Sequence, residues 1–372
     1  MTDIGRPMQN VLITGGAGFI GSNFVHFLLN RYPEVEIINL DALTYAGSME
    51  NLKGLSDPSR HNFFHGDINN RTLVEQILRD HRIDTIVHFA AESHVDRSIL
   101  GPEQFIQTNI VGTHTLLNAA RTYWLQEQSI VPEQLAQRVR FHHISTDEVF
   151  GSLEPDDPPF SESTPYAPNS PYAASKAASD HLVRAYGHTY GLPITITNCS
   201  NNYGPYQFLE KLIPLMITNA LQGLPLPIYG DGLQVRDWLY VGDHCEAIWT
   251  VLRNGKPGET YNVGGDNQPF NITVVETLCD ILDELHPNST YAPHKTLVQS
   301  VKDRPGHDRR YAMDITKIHK ELGWTPRHSL SEGLMKTVTW YLNNPEWIEA
   351  IRSQEDYQSW MENNYTKRGE ES

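Results

Sequence analysis

Two side chains one helical turn apart could perform acid–base chemistry on a hydroxyl group. Tyr172 and Lys176 are four residues apart in the segment YAASKAA, whose alanines favour a helix with both side chains on one face. An ammonium group beside a phenol stabilises the phenolate, which can take a proton from an alcohol during hydride transfer. Such a pair also occurs on ordinary helix surfaces, so its value depends on the residues around it.

A hydroxyl followed by two adjacent carboxyl groups forms a second candidate for chemistry. Thr146, Asp147 and Glu148 come directly after a predicted strand that ends at Ile144. Neighbouring carboxyl groups in a closed site can differ in pKa, so that one is a protonated acid and the other an ionised base. Taken by themselves, the residues are explained more simply by an exposed acidic turn or a helix cap.

A glycine-rich turn near the amino terminus predicts a dinucleotide site. Gly15, Gly18 and Gly21 follow the apolar run 11–14 and precede a helical pattern. Glycines at this spacing allow a tight turn, close approach to a pyrophosphate and close helix packing. Asp41 ends the next predicted strand, where a carboxylate accepts the ribose hydroxyls of NAD and repels the 2′-phosphate of NADP. Alone, Asp41 could equally be a turn residue; together with the glycines it favours NAD.

The elements that must position these residues follow from the apolar pattern. Strand-like runs alternate with helical patterns in the first half, which predicts an α/β fold with a doubly wound parallel sheet. The predicted strands are residues 11–14, 36–40, 85–89 and 140–144, with 194–197 and 239–241 as further candidates. The predicted helices are residues 22–30, 71–82 and 109–126.

From about Asn201 the sequence contains more prolines, and the predicted strands and helices become short. This change predicts a smaller C-terminal α/β domain over the carboxyl ends of the strands. We expect a Rossmann domain at 1–200 with 237–256 returning to it, a substrate-binding domain at 201–236 and 257–350, and a tail at 351–372.

The net charge and the cysteine and histidine positions exclude several classes of function. A net charge of −16 argues against non-specific nucleic-acid binding. With no long apolar run and no signal peptide, we expect a cytoplasmic protein. Cys199, Cys245 and Cys279 are far apart, which favours a reducing compartment without disulfides or zinc. No histidine has metal-ligand spacing, so we expect no metal, and His142 and His143 are interpreted as surface or supporting residues.

The chain resembles the extended short-chain dehydrogenase/reductase family, and within it the dTDP-glucose 4,6-dehydratases. The resemblance covers essentially the full length, and the Thr-Asp-Glu triplet is its most diagnostic part, because relatives that only oxidise or epimerise usually lack the acidic pair. The segments that carry it are TGGAGFIGSNFV, LDALTYAG, HFAAESHVDRSI, FHHISTDEVFG, SPYAASKAASDHLV, TNCSNNYGPYQFLEKLIP, LPIYGDG, VRDWLYVGDH and DRPGHDRRYAMD.

The resemblance implies a hydro-lyase that converts dTDP-glucose into dTDP-4-keto-6-deoxyglucose and water through tightly held NAD. It implies that Tyr172, aided by Lys176 and Thr146, deprotonates the sugar 4-hydroxyl as hydride leaves C4. Glu148 then removes the C5 proton and Asp147 protonates the departing C6 hydroxyl, before hydride returns to C6. A deoxysugar pathway, such as that of rhamnose, and a homodimer formed through a helix bundle are also implied.

The same resemblance implies a set of ligand contacts. NAD contacts fall on Gly15, Gly18, Phe19, Ile20, Gly21, Asp41, Thr44, Asp67, Ile68, Ala90, Ala91, Ser93, Thr108, Tyr172, Lys176 and Asn202. Substrate contacts fall on Ser93, Thr146, Asn201, Glu210, Lys211, Leu212, Pro227, Tyr229, Arg236, Asn271, Arg304 and His307. Lys211, Arg236 and Arg304 suit a diphosphate, although each could equally be a structural ion pair.

Two departures from the family pattern and two alternatives stand beside this interpretation. Phe150 replaces a frequent Tyr, and the segment 207–209 reads Gln-Phe-Leu in place of His-Phe-Pro, which puts loop shape in question. One alternative is a UDP-sugar epimerase or GDP-mannose dehydratase, which the acidic pair and the segment 212–229 would distinguish. The other is a non-catalytic NAD-binding protein, against which the complete catalytic set argues.

Overall fold

The computed structural model describes residues 5–303 and 308–361. Its strands are β1 Asn10–Thr14, β2 Glu36–Asp41, β3 His61–His65, β4 Thr85–His88, β5 Arg140–Thr146, β6 Ile194–Cys199, β7 Asn201–Tyr203, β8 Leu226–Tyr229, β9 Trp238–Tyr240, β10 Thr260–Val263 and β11 Val298–Val301.

The helices are α1 Phe19–Arg31, α2 Arg71–Asp80, α3 Val95–Leu100, α4 Pro102–Phe105, α5 Thr113–Arg121, α6 Pro132–Arg138, α7 Pro171–Tyr190, α8 Leu212–Ala220, α9 Val241–Asn254, α10 Asn271–Leu285, α11 Thr316–Leu322, α12 Leu330–Asn343, α13 Pro345–Arg352 and α14 Glu355–Met361. Short 3₁₀ turns lie at Met49–Leu52, Pro58–Arg60, Asp147–Phe150 and His294–Leu297, and π-helical turns at Ile106–Gly112 and Thr122–Glu127 extend α4 and α5.

Seven parallel strands form the central sheet in the order β10-β6-β5-β4-β1-β2-β3. The chain adds strands outward from β1 on one side and then from β4 on the other, so the expected doubly wound sheet is confirmed. The reversal between β1 and β4 opens a crevice at the carboxyl ends of the strands, where this architecture binds ligands. Strand β5, which carries the acidic residues at its end, is buried along its whole length.

Helices cover both faces of this sheet, which explains why β4, β5 and β6 are buried along their whole length. One face packs against apolar residues of α2, α5 and α7. The other packs against α1 and α9, so part of the segment 237–256 contacts the sheet. Strand β10 pairs with β6, so the sheet extends past the expected boundary at residue 257. The sequence pattern missed it, because its residues Thr-Tyr-Asn-Val do not form the continuous apolar run used to predict the buried strands.

A second apolar core lies beyond the sheet, built from α8, α10, α12 and α13 around β8. Strand β8 pairs in parallel with β11, and β7 pairs with β9. The indole of Trp347 donates a 2.8 Å hydrogen bond to Asn51 Oδ1 and joins this unit to the first. The expected tail at 351–372 begins inside the structure, because Tyr357 of α14 is buried against Phe208.

Two further properties concern the described residues alone. Across 5–303 and 308–361, no helix combines the length and apolar character needed to cross a membrane. In the same ranges no group of three or more His, Cys, Asp or Glu side chains is arranged to hold a metal ion. Cys199, Cys245 and Cys279 are free and buried.

Candidate active site

The carboxyl ends of the central strands open into a cleft of about 340 Å³. The five expected catalytic residues, Thr146, Asp147, Glu148, Tyr172 and Lys176, all line it. The remaining expected NAD contacts line it too: Gly15, Gly18, Phe19, Ile20, Gly21, Asp41, Thr44, Asp67, Ile68, Ala90, Ala91, Ser93, Thr108 and Asn202. The fold therefore brings together in one cleft residues that lie almost two hundred positions apart in the chain.

The glycine turn between β1 and α1 packs so closely that a side chain would collide with neighbouring backbone. Gly15 has φ +74°, and a Cβ there would meet the backbone nitrogen of Ala90 at 2.6 Å. A Cβ on Gly21 would lie 2.2 Å from the carbonyl oxygen of Gly15, so the helix packs on the turn only with glycine. Helix α1 begins at Phe19 without a side-chain cap. Its first N–H groups suit the negative pyrophosphate of a dinucleotide.

Asp41 is fixed in place by the backbone on both sides of the cleft. Its Oδ2 accepts a 2.8 Å hydrogen bond from the Ala17 N–H in the glycine turn, and its Oδ1 accepts one of 2.8 Å from the Leu43 N–H. Burial raises the pKa of this carboxyl, and the two backbone bonds oppose that rise. Each oxygen keeps a second lone pair, so the carboxylate can also accept ribose hydroxyls. The residues present therefore fit NAD.

Helix α7 carries both the phenol and the ammonium group. It begins after Ser170, whose side chain accepts a hydrogen bond from the Ala173 N–H, and Pro171 occupies its first turn. Lys176 Nζ donates a 2.7 Å hydrogen bond to the Ile144 carbonyl at the end of β5. Burial lowers the pKa of Lys176 to about 8. The ammonium is thus anchored to the sheet, one turn away from the phenol of Tyr172.

Burial raises the pKa of Tyr172 well above 10, and the charge of Glu148 raises it further. Among the groups that shift the pKa of the Tyr172 phenol, Thr146 lowers it. Tyr172 and Lys176 lie on one face of α7, as expected. The direct stabilisation of a phenolate expected from the spacing is not the dominant effect, because burial disfavours the charged phenolate more strongly.

The acidic pair begins a 3₁₀ turn directly after β5. Thr146 Oγ1 donates a 3.1 Å hydrogen bond to Asp147 Oδ1 and accepts one of 3.3 Å from the Glu148 N–H, so Thr146 caps the turn. Asp147 is only 2% exposed, which rules out an exposed acidic turn. Burial, followed by the charges of Glu148 and Asp237, raises the pKa of Asp147 to about 8. Asp147 is therefore protonated at neutral pH, the state that a general acid requires.

The expected substrate contacts divide into three groups. Ser93, Thr146, Asn201, Glu210 and Lys211 line the cleft. Leu212 begins α8, Pro227 and Tyr229 lie on β8, Arg236 precedes β9 and Asn271 begins α10, and these five do not line it. Arg304 and His307 lie outside the described residues.

Two of these candidates already have protein partners. Glu210 Oε1 lies 3.2 Å from His94 Nε2, and its Oε2 lies 3.7 Å from Arg97 Nη2. Arg236 donates to the carbonyls of Val235 and Asp308 at 2.8 and 2.9 Å. Its charge lowers the pKa of Asp147, which places the guanidinium near the acidic pair. Glu210 and Arg236 therefore have structural contacts of their own beside any role in binding substrate.

Three buried residues near the expected catalytic groups were not predicted as site residues by the sequence analysis. His143 is fully buried within β5, which corrects the surface interpretation of that histidine. Asp180 is also fully buried, on α7. Asp237 accepts a 2.6 Å hydrogen bond from the Gly265 N–H and one of 3.2 Å from Ser200 Oγ, and burial raises its pKa to about 7. Only Asp180 carried a sequence signal, because it lies four residues after Lys176.

The two departures in sequence have different consequences. Phe150 stacks on Phe160 at 5.1 Å in a small buried cluster and does not line the cleft. Gln207 and Phe208 do line it, and Gln207 Nε2 donates a 2.9 Å hydrogen bond to the Asn202 carbonyl. Leu209 is fully buried. The changed loop is thus packed against the cleft wall.

Comparison with known proteins identifies the relatives of this chain. A sequence profile of the family described as GDP-mannose 4,6 dehydratase matches residues 12–337. The dTDP-glucose 4,6-dehydratase of Shigella flexneri is 54% identical over 368 residues, which are 97% of this chain and 100% of that protein.

Solved structures give the same result. DesIV, a dTDP-glucose 4,6-dehydratase from Streptomyces venezuelae with NAD and TYD bound, matches with TM-score 0.81 and 48% identity, covering 92% of this chain and 100% of that one. The dTDP-glucose 4,6-dehydratase of Bacillus anthracis in complex with NAD matches with TM-score 0.80 and 46% identity, covering 92% and 99%.

The resemblance inferred from the sequence is confirmed by these matches. The profile spans most of the chain, and the identity to the dehydratases extends over nearly its full length. The chain belongs to the GDP-mannose 4,6-dehydratase family and, within it, to the dTDP-glucose 4,6-dehydratases.

Proposed function

We propose that this protein is a hydro-lyase that converts dTDP-glucose into dTDP-4-keto-6-deoxyglucose and water, with NAD as its cofactor. One observation carries the proposal: the buried, protonated Asp147 lies beside Glu148 in the cleft that holds Tyr172 and Lys176. An enzyme that only oxidises a hydroxyl needs a phenol and a lysine, whereas loss of water also needs an acid and a base. Relatives at 54% identity bear the name of this activity.

The first step uses the residues of α7. Tyr172 accepts the proton of the sugar 4-hydroxyl, and the Lys176 ammonium, anchored on the Ile144 carbonyl, supplies the positive charge that offsets a phenolate. Bound NAD supplies the hydride acceptor for C4 and the hydride donor for C6. Because burial raises the pKa of Tyr172, its phenolate is a strong base, and the proton that it takes from the 4-hydroxyl is passed on before the next turnover.

The second step uses the acidic pair. A ketone at C4 acidifies the C5 hydrogen, which Glu148 removes as an ionised base. Asp147, with a pKa of about 8, keeps its proton at neutral pH and delivers it to the C6 hydroxyl, so that water leaves. Glu148 then returns its proton to C5. The pair therefore divides the work of base and acid between two environments, one partly exposed and one buried.

Thr146 lies between Tyr172 and Asp147 and can pass a proton from the first to the second. Tyr172 gains a proton at C4, and Asp147 loses one at C6, so each turnover must move one proton from the first to the second. Thr146 Oγ1 donates a 3.1 Å hydrogen bond to Asp147 Oδ1, and Thr146 also lowers the pKa of Tyr172. A hydroxyl both accepts and donates, so Thr146 can relay that proton.

The cleft contacts support the remaining assignments of substrate and domains. Ser93, Asn201, Glu210 and Lys211 lie along the cleft wall and are proposed to contact the substrate. Lys211 and Arg236 are proposed to contact the diphosphate, for which their charge is suited. The proposed division into an NAD-binding and a nucleotide-sugar-binding unit follows the two separate cores of the molecule.

A homodimer and a cytoplasmic site of action complete the proposal. Ile99 and Leu100 on α3, with Ile106 and Val111 after α4, expose between 39% and 73% of their surface on one run of helices. Exposed apolar residues grouped in this way favour association of two such helix surfaces.

Free buried cysteines suit a reducing compartment. The product suits deoxysugar synthesis, such as that of rhamnose.

The test is incubation of the purified, NAD-loaded protein with dTDP-glucose, UDP-glucose and GDP-mannose in parallel. We expect the 4-keto-6-deoxy product from dTDP-glucose at the highest rate, and none from an Asp147→Asn, Glu148→Gln double variant. An epimerised sugar without loss of water, or product from GDP-mannose alone, would contradict the proposal.

A further inference from the structure

Three charged or titratable residues lie at four-residue intervals along one face of α7. Tyr172 and Lys176 belong to the proposed mechanism, and Asp180 follows one turn later. All three side chains are buried, and Asp180 has no exposed surface. A carboxylate withdrawn from water in this way needs donors and an opposite charge to remain ionised.

The contacts of Asp180 show what holds its charge. Its Oδ2 accepts hydrogen bonds of 2.8 Å from Ser145 Oγ and 2.8 Å from the Tyr166 hydroxyl. Its Oδ1 lies 3.2 Å from His143 Nε2, and the same nitrogen lies 3.4 Å from Lys176 Nζ. A chain of close contacts therefore runs from the active-site ammonium through one imidazole to the buried carboxylate.

Most titratable groups around Lys176 are neutral, so the buried negative charge that offsets its ammonium is that of Asp180. On the sheet side, burial keeps His88 and His143 neutral by lowering the pKa of each, that of His143 to about 4. Cys199 on β6 is neutral because burial raises its pKa to about 12, and burial raises the pKa of Asp147 to about 8. The charge of Glu148 raises the pKa of Tyr172, and the Arg184 cation lowers the pKa of His143.

Asp180 is also ionised. Burial alone would raise its pKa, but the contacts with His143, Lys176 and Tyr166 outweigh burial and lower it. For the lysine, burial lowers the pKa and Asp180 is the largest influence that raises it. Geometry and charge therefore agree on a buried ammonium–carboxylate pair, with both groups in contact with one nitrogen of His143.

We propose that Asp180 is a positioning residue for the first proton transfer: its carboxylate, one helical turn after Lys176 and in contact with the same His143 nitrogen, keeps Lys176 charged and held against β5 near the Tyr172 base. The inference rests on the proposed function, because it is the C4 step that uses the lysine. Asp180 touches neither substrate nor cofactor in this assignment. Its effect reaches the reaction only through Lys176.

The first experiment measures the pH profile of the hydride step in NAD-loaded protein, as the rate at which reduced NAD appears after dTDP-glucose is added. In Asp180→Asn the lysine loses its proton at lower pH, so the alkaline limb should move down by about one to three pH units. Tyr166→Phe is the matched control, because it removes a donor to the same carboxylate and keeps the charge; its limb should stay in place. An unmoved limb in folded Asp180→Asn overturns the proposal.

The second experiment measures stability and needs no substrate. Thermal midpoints are compared for the NAD-loaded protein, Asp180→Asn, Lys176→Met and the double variant. If the two charges are partners, removal of both should lower the midpoint by less than the sum of the single changes, because neither charge is left alone. If Asp180→Asn does not fold, the double variant should still fold. Additive losses, or a double variant that does not fold, overturn the proposal.

These results are separate from the test of function. Failure of the proposed function appears as unmodified protein that makes no 4-keto product from dTDP-glucose. Failure of the inference about Asp180 appears as additive stability losses, whatever the substrate.

Discussion

Asp147→Asn should make the protein more stable than the unmodified form at neutral pH, although it removes the proposed acid. The folded protein holds the pKa of Asp147 at about 8, against 3.8 for an ordinary aspartate. Between those values the folded state retains a proton that the unfolded chain releases. Stability therefore falls as pH rises through this window, and the fall is complete above the folded pKa.

The size of this effect follows from the pKa difference. Each pH unit within the window costs about 1.4 kcal/mol of unfolding free energy. From about pH 5.5 to about pH 7.5 the unmodified protein should lose roughly 2–3 kcal/mol relative to Asp147→Asn, as an upper bound, since Glu148 and Asp237 titrate with it. The asparagine cannot ionise, and its Oδ1 can still accept the Thr146 hydroxyl.

The assay is urea unfolding of both NAD-loaded proteins across that pH range. Asp156→Asn is the matched control, because Asp156 is exposed and its removal should leave a curve parallel to that of the unmodified protein. Parallel curves for Asp147→Asn would refute the reasoning, since they would mean that Asp147 ionises in the folded protein as readily as in the unfolded chain.

Four further predictions concern the reaction. NADP should not restore activity to protein stripped of NAD, because the Asp41 carboxylate repels a 2′-phosphate, and equal rescue by both cofactors would remove Asp41 from that role. Tyr172→Phe should show no absorbance of reduced NAD after substrate is added; if it does, another residue is the first base. Glu148→Gln should transfer hydride yet fail to exchange the C5 hydrogen with deuterated solvent, and normal exchange with turnover would contradict the elimination step. Asp147→Asn should exchange C5 but form product about 10²–10⁴-fold more slowly.

The sequence by itself determined the parts of the site that are contiguous in the chain. The glycine turn, the Tyr172–Lys176 spacing and the Asp147–Glu148 pair each depend on neighbouring residues, whose geometry local backbone rules fix. The alternation of strands and helices likewise predicted the doubly wound sheet. Strand β10 was missed because its residues Thr-Tyr-Asn-Val do not form a continuous apolar run.

Only the tertiary structure decided which environment each of these groups occupies. The protonated state of Asp147 depends on burial and on Asp237, ninety positions away in the chain. The anchoring of Lys176 depends on a carbonyl of β5, and its charge depends on the buried carboxylate of Asp180. Burial and charge act through space, so a pKa follows from neighbours that the order of residues does not reveal. The sequence thus determined which chemical groups are available, and the fold determined which of them carry a proton.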